Sequence, residues 1–326
     1  MQIISVIIEM ENASVVSWEL VSANLLKLKQ QLTEYANSSV KSYELIFALS
    51  GNEEDATTLL HEIQSRVPGL SDVSKLSVVP VENGRYYELK NAGLLHSTGD
   101  VVIFLDSDCT IESQWLENLL QPFQRSGIHA VNGYTYLAYE DFTSRILALT
   151  WLFPLRDHDD RIAKRRALNM NNCAFTGDWI RSNPFEIDNG FKVSCSKLSA
   201  KLAADHIAIE RAPAYASHAP LRGWRFIAWR AWVTGRDADR KYVALRSSNI
   251  LARLINALKF NWKLGSRSLH RVATRYRMVG MPLIHMPIAL LVAFAFSSIT
   301  LIGQCLHVLG FRKEHPESIP TYAEFT

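Results

Sequence analysis

Gln2 to Ile8 is an almost unbroken apolar run rich in β-branched residues, the pattern of a strand buried on both faces. Leu20, Leu25, Leu28 and Leu32 then recur at helical spacing, and Asn37-Ser38-Ser39 closes that helix. Tyr43 to Leu49 predicts a second strand running into the turn Ser50-Gly51-Asn52, with a helix over Glu53 to Val67. A third strand is expected at Leu76 to Val81, punctuated by Asn83-Gly84, followed by a short helix over Tyr86 to Leu95. Val101 to Leu105 reads as a fourth strand ending at Asp106. Strands alternating with helices imply a doubly wound, mostly parallel α/β sheet. Ligands of such sheets sit at the carboxyl ends of the strands, where Ser50-Gly51 and Asp106 to Asp108 fall.

Beyond residue 130 the pattern is sparser. Strands are expected at Ala130 to Tyr139 and Asn172 to Phe175, a helix at Leu198 to Ala204, and a strand from Ile207 to Tyr215 entering a loop at Ser217-His218. The last hundred residues differ in kind. From Asn249 to Lys263, Ile250, Leu251, Leu254, Ile255, Leu258 and Trp262 share one helical face, with Arg253, Asn256, Lys259 and Lys263 on the other. That pattern fits a basic helix lying on an anionic bilayer, or one packed on the domain with its lysines in water. The thirty-four residues between Arg277 and Arg312 contain no Asp, Glu, Lys or Arg. One span takes about 20 apolar residues, so a single membrane-inserted segment kinked near Pro282 and Pro287 is expected, with a re-entrant hairpin as the alternative.

Charge sharpens this picture. The chain has 326 residues and a net charge of +3, yet Arg222 to Arg277 holds fourteen basic residues against two acidic ones. One surface therefore meets something anionic, taken as a membrane surface and not nucleic acid. Arg267, Arg271, Arg275 and Arg277 outnumber Arg312 and Lys313 across the apolar stretch, which predicts a membrane protein with its large domain on the cytoplasmic face. The start, MQIISVIIEMEN, lacks a basic leader and predicts no signal peptide. Cys109, Cys173, Cys195 and Cys305 form no C-x-x-C pair, excluding a zinc ribbon and suggesting a reducing compartment. The expected organisation is a catalytic domain over 1–245 (halves 1–110 and 111–245), basic amphipathic helices over 246–277, a membrane-inserted segment over 278–311 and a tail over 312–326.

The densest chemical signal is Gly99 to Cys109, GDVVIFLDSDC, where a buried strand delivers Asp106 and Asp108 one residue apart. Carboxylates that close raise each other's pKa unless a cation lies between them. Hard oxygen ligands suit Mg²⁺ or Mn²⁺, which usually share their remaining positions with substrate phosphates. The plainer alternative is a pair of exposed loop carboxylates.

From Ser5 to about Gly235 the chain resembles a family 2 glycosyltransferase. The resemblance rests on Ser5-Val6-Ile7-Ile8 with Asn12, Glu44 to Ala48 with Gly51, Lys90-Asn91-Ala92-Gly93, Leu105-Asp106-Ser107-Asp108, Trp115-Leu116, Pro184-Phe185 and Ala212 to His218. It implies a Rossmann-like GT-A sheet, a nucleotide-sugar donor, a D-x-D site for Mg²⁺ or Mn²⁺ on Asp106 and Asp108, and a glycan or lipid-linked acceptor. His218 would ligate the metal or contact the diphosphate, or else cap backbone. Ser50, Gly51, Lys90, Asn91 and Gly93 would line the nucleotide side, although Lys90 fits a solvated helix lysine equally and glycine suits any tight turn.

Several positions depart from the family. Glu9-Met10-Glu11-Asn12 stands where Pro-Thr-Tyr-Asn is usual, and Leu49-Ser50 stands where an Asp grips the nucleobase and ribose. No acid occupies Val193-Ser194-Cys195-Ser196, where the general base belongs, so Asp188 is nominated from the nearby pair Glu186 and Asp188. The Gln-x-x-Arg-Trp signature of processive synthases is absent, and Trp224-Arg225 and Trp229-Arg230 read as interfacial anchors. The expected activity is non-processive, inverting sugar transfer at a membrane. The alternatives are a non-catalytic nucleotide-sugar-binding or scaffold subunit and a nucleotidyltransferase of similar fold.

Overall fold

Eight strands make one sheet in the order β3-β2-β1-β4-β7-β6-β8-β5. A computed structural model describes residues 2–38, 41–150, 154–156, 168–187, 193–219, 223–241 and 249–311. Its first half alternates β1 (Gln2–Glu9), α1 (Trp18–Ser38), β2 (Lys41–Ser50), α2 (Glu53–Arg66), β3 (Lys75–Val81), α3 (Tyr86–His96) and β4 (Val101–Asp106). These four strands pair with one another in parallel. All six residues of β4 are buried, as the continuous apolar run requires of a central strand covered on both faces.

The Asn52 turn leads into a helix as expected, whereas Gly93, expected on the nucleotide side, packs against the sheet. Asn52 Oδ1 accepts from the backbone of Glu54 and Asp55 at 2.8 and 3.1 Å, and Asp55 Oδ2 accepts from Asn52 N at 2.9 Å. This capping box starts α2 immediately beyond the carboxyl end of β2. Gly93 on α3 faces Ile7 of β1, where a Cβ would stand 2.5 Å from Ile7 Cγ2. The glycine lets the helix sit close against the sheet.

The second half comprises β5 (Cys109–Ile111), α4 (Trp115–Leu120), β6 (Ala130–Leu137), α5 (Phe142–Thr150), β7 (Asn172–Thr176), α6 (Gly177–Ser182), α7 (Val193–Ala204) and β8 (Ile209–His218). β7 runs antiparallel between β4 and β6, and β8 lies parallel to β6 and antiparallel to β5. The loop expected at Ser217-His218 is strand instead. β6 on one side and the three-residue β5 on the other take up its hydrogen bonds, pairing His218 with Leu137 and with Cys109. The four cysteines are free thiols.

Three more helices follow: α8 (Trp224–Lys241), α9 (Ile250–Arg275) and α10 (Met286–Val308). The Trp224 to Arg230 segment is the start of α8, and Phe226, Ile227, Trp229, Ala231 and Val233 join a core with α5 and α10. The amphipathic helix also runs a further three turns past Lys263, because Ser268 Oγ and Arg271 donate to the carbonyls of Thr150 and Ala148 at the end of α5. α10 is long and apolar enough to cross a membrane.

Two outcomes test the packing. Gly93→Ala should destabilise the protein by about 1–3 kcal/mol in a denaturant titration, since the added methyl overlaps fully buried Ile7. Glu44 accepts from Ser5 Oγ at 2.6 Å and from the backbone and hydroxyl of Thr98 at 2.9 and 2.6 Å. Burial pushes its carboxyl up, but these bonds outweigh burial and hold it below its ordinary value. Such a group contributes stability above its unfolded pKa and loses it as pH falls through the folded value. Thermal melts of Glu44→Gln should therefore lie below the parent at neutral pH, with the gap closing below the ordinary 4.5.

Candidate active site

β1 and β4 end side by side at the carboxyl edge, with Glu9 opposite Asp106 in register. Both are buried, and so are Ser107 and Asp108, which turn the chain into β5. Asp106 is held from below. Lys90 Nζ lies 2.6 Å from Oδ1, and Tyr86 donates its hydroxyl to the same carboxylate at 2.9–3.0 Å. Lys90 is fully buried. Burial works to lower its pKa, but Asp106 and Glu9 outweigh that and raise it, so the ammonium form is secured.

Asp108 is a different case. It is 0 % exposed and neither carboxylate oxygen accepts a hydrogen bond. His218 Nε2 lies 3.3 Å from Oδ2, because the β5–β8 register sets His218 beside Cys109, the next residue. The other ring nitrogen, Nδ1, is 3.0 Å from the Ala219 carbonyl. A carbonyl accepts only from N–H, so Nδ1 carries a hydrogen and Nε2 is the nitrogen turned toward Asp108. One ligand atom each from Asp106, Asp108 and His218 lies within 4.8 Å of the others. This oxygen-rich set with one imidazole fits Mg²⁺ or Mn²⁺.

The electrostatics point the same way. Burial first, then Asp106, pushes Asp108 up to about 6 against the pull of His218. Burial and then Asp106 push Glu9 well up, and burial pushes Glu11 up to about 7. The buried carboxyls of Glu9, Asp106 and Asp108 thus gather around the buried ammonium of Lys90 at the sheet edge.

The remaining expected residues spread around this centre. Ser50 and Gly51 lie at the end of β2, one strand beyond β1, with Ser50 exposed and Gly51 N donating to Val81 O at 3.1 Å. Asn91 uses its amide on the backbone of Phe185, donating to its carbonyl at 2.8 Å and accepting from its N–H at 2.9 Å. It ties the Pro184-Phe185 segment to α3. Asp188 lies outside the described residues. α7 begins at Val193, and its first turn offers Ser194, whose hydroxyl donates to Glu186 O, and no carboxylate. Tyr86 and Glu9 joined the site unannounced; the signal for Glu9 was its place at the end of the strand next to the one carrying Asp106.

Part of the chain is 28% identical over 103 residues to the Probable N-acetylgalactosaminyltransferase 8 of Caenorhabditis elegans, covering 31% of this chain and 24% of that protein. It is 24% identical over 97 residues to the Glycosyltransferase AglE of Haloferax volcanii, covering 30% of each. The chain thus spans less than a third of the length of these curated relatives. Among solved structures, the mannosyltransferase PcManGT from Pyrobaculum calidifontis, in complex with GDP-Man and Mn²⁺, superposes with a TM-score of 0.57 at 16% identity, covering 95% of this chain and 88% of that one. That likeness shows a shared GT-A fold. Residues 5–186, more than half of the sequence, match the family described as Glycosyl transferase family 2, and the chain belongs to that family.

Proposed function

We propose that the protein is a metal-dependent glycosyltransferase that moves one sugar from a nucleoside-diphosphate sugar to an acceptor at a membrane surface. The observation that carries this reading is the buried Asp108 carboxylate, without a hydrogen bond and facing His218 Nε2, at the carboxyl edge of a family 2 sheet. The mannosyltransferase of like fold, whose structure contains GDP-Man and Mn²⁺, supports the donor class and the choice of ion.

In this reading Asp106, Asp108 and His218 hold Mg²⁺ or Mn²⁺. The ion supplies positive charge against the diphosphate that leaves when the anomeric C–O bond breaks. Lys90 and Tyr86 fix the carboxylate of Asp106 from beneath, so its geometry is set before donor arrives. Ser50 and Gly51 border the nucleoside side. The Asn91 clamp on Phe185 anchors the segment leading to Asp188, which we assign as the base that takes the acceptor hydroxyl's proton in an inverting, non-processive transfer. The domain, 1–245 in this proposal, faces the cytoplasm and the acceptor is a glycan or lipid-linked chain, because the basic, apolar helices beyond it suit an anionic bilayer. The missing acid at the start of α7 favours one other reading, a non-catalytic subunit that binds nucleotide sugar.

Purified protein with Mn²⁺ should release nucleoside diphosphate and glycosylate a membrane-extract acceptor. Chelation should abolish turnover, and either Mn²⁺ or Mg²⁺ should restore it. Asp108→Asn should lower kcat by about 10²-fold or more, and His218→Ala should raise the Mn²⁺ concentration needed for half-maximal thermal stabilisation by about 10–100-fold. Nucleotide binding without transfer would leave the subunit reading, and pyrophosphate release would point to a nucleotidyltransferase.

A further inference from the structure

α9 and α10 form an antiparallel hairpin over nearly their full lengths. Asn261 Nδ2 donates to Gln304 Oε1 at 2.8 Å, Gly265 faces Ser297, and Val272 meets Ala289 and Ala293 in one core. α8 runs along the other flank of α10. Gly235 abuts the Thr300 carbonyl, Gly303 abuts the Trp232 carbonyl, and Thr300 Oγ1 donates to Ala231 O at 3.1 Å. Ala289, Ala293, Phe296, Thr300, Gly303, Gln304 and Val308 bury one face of α10 from end to end. The apolar helix is therefore laid on the domain along its whole length.

That packing constrains how it meets lipid. The midpoint of α10 is near Ser297, opposite Gly265, and Lys263 and Arg267 flank Gly265 with exposed side chains. Exposed Lys259 lies one turn further along. Were α10 to stand across a bilayer, these three cations would sit at hydrocarbon depth, facing lipid, where charge is costly. On the other flank, α8 would carry the buried Arg236–Asp237 pair to similar depth. An orientation parallel to the surface removes the conflict. The exposed apolar side chains, Leu251, Leu258 and Trp262 (81 % exposed) on α9 with Leu291, Phe294 and Ile302 on α10, then enter the acyl boundary. The cations stay among the headgroups. α9 carries six Lys and Arg, and residues 250–311 contain no Asp or Glu, so the complementary surface is an anionic bilayer.

We propose that α9 and α10 are an in-plane membrane hairpin, embedded in one leaflet of an anionic bilayer and fused to the catalytic domain through α8 and α5, so that α10 does not cross. The proposal shares with the functional reading only the assignment to a membrane surface, and its tests involve no sugar transfer. In a bacterial host, the full chain bearing an epitope tag after Thr326 is exposed to protease in inverted inner-membrane vesicles and in spheroplasts. Tag and domain should both be digested in inverted vesicles and both survive in spheroplasts; a tag digested only in spheroplasts overturns the hairpin, as does a chain confined to the soluble fraction. Separately, the triple variant Lys259→Glu, Lys263→Glu, Arg267→Glu should partition at least about tenfold less onto phosphatidylcholine vesicles containing 30 mol% phosphatidylglycerol, given the screening-sensitive attraction of each cation to anionic lipid. An unchanged circular-dichroism melt would show that it still folds. Equal partition of parent and variant, or equal binding to pure phosphatidylcholine, contradicts the proposal.

Discussion

Asp108 is sealed from water and accepts no hydrogen bond, a state that costs a carboxylate dearly unless a proton or a cation answers it. Lys90, a buried ammonium at the edge, is spent on Asp106, and Glu9 adds a further buried acid on the neighbouring strand. The imidazole of His218 reaches Asp108 with Nε2, 3.3 Å from Oδ2. Each element that delivers these groups is itself rigid: β4 is buried throughout, and β8 is held on both sides. A site so arranged is preorganised for a divalent ion and for a ligand that brings phosphate oxygens to it.

The helical layer follows a similar logic of partners. α8 links the sheet to α10, and α9 returns alongside, so the apolar C-terminal segment shares a core with α5 and β6. Small residues at Gly235, Gly265 and Gly303 bring the three backbones close, and Asn261 Nδ2 donates to Gln304 while Thr300 donates to a carbonyl inside the contact. The sheet domain and the C-terminal helices are thereby one packed body, not a head on a free stalk.

Much of the first half was legible from the order of residues. β1 and β4 are buried on both faces along nearly all their length, so they read as plain apolar runs, and the turn Ser50-Gly51-Asn52 marked the junction with α2. The second half was less legible. β5 has only three residues, too few for any period, and α8 mixes Trp, Arg and Asp on faces that become buried only against α10. Ser217-His218 looked like a loop because polar residues inside a central strand are uncommon, and here one of them stands beside Asp106 and Asp108.

Sequence alone settled the alternation of strands and helices, the pair of aspartates at a strand end, the family resemblance and the separation of a basic, apolar C-terminal region. These are local patterns, set by side-chain periodicity within a few residues. Only the tertiary structure decided that His218 stands beside Asp108, that Lys90 lies beneath Asp106 and not in solvent, that Asn91 clamps Phe185, and that Lys263 and Arg267 fall level with the middle of α10. Those facts depend on which strands and helices pair and in what register, and register is fixed by contacts between segments distant in the chain, which no local pattern encodes.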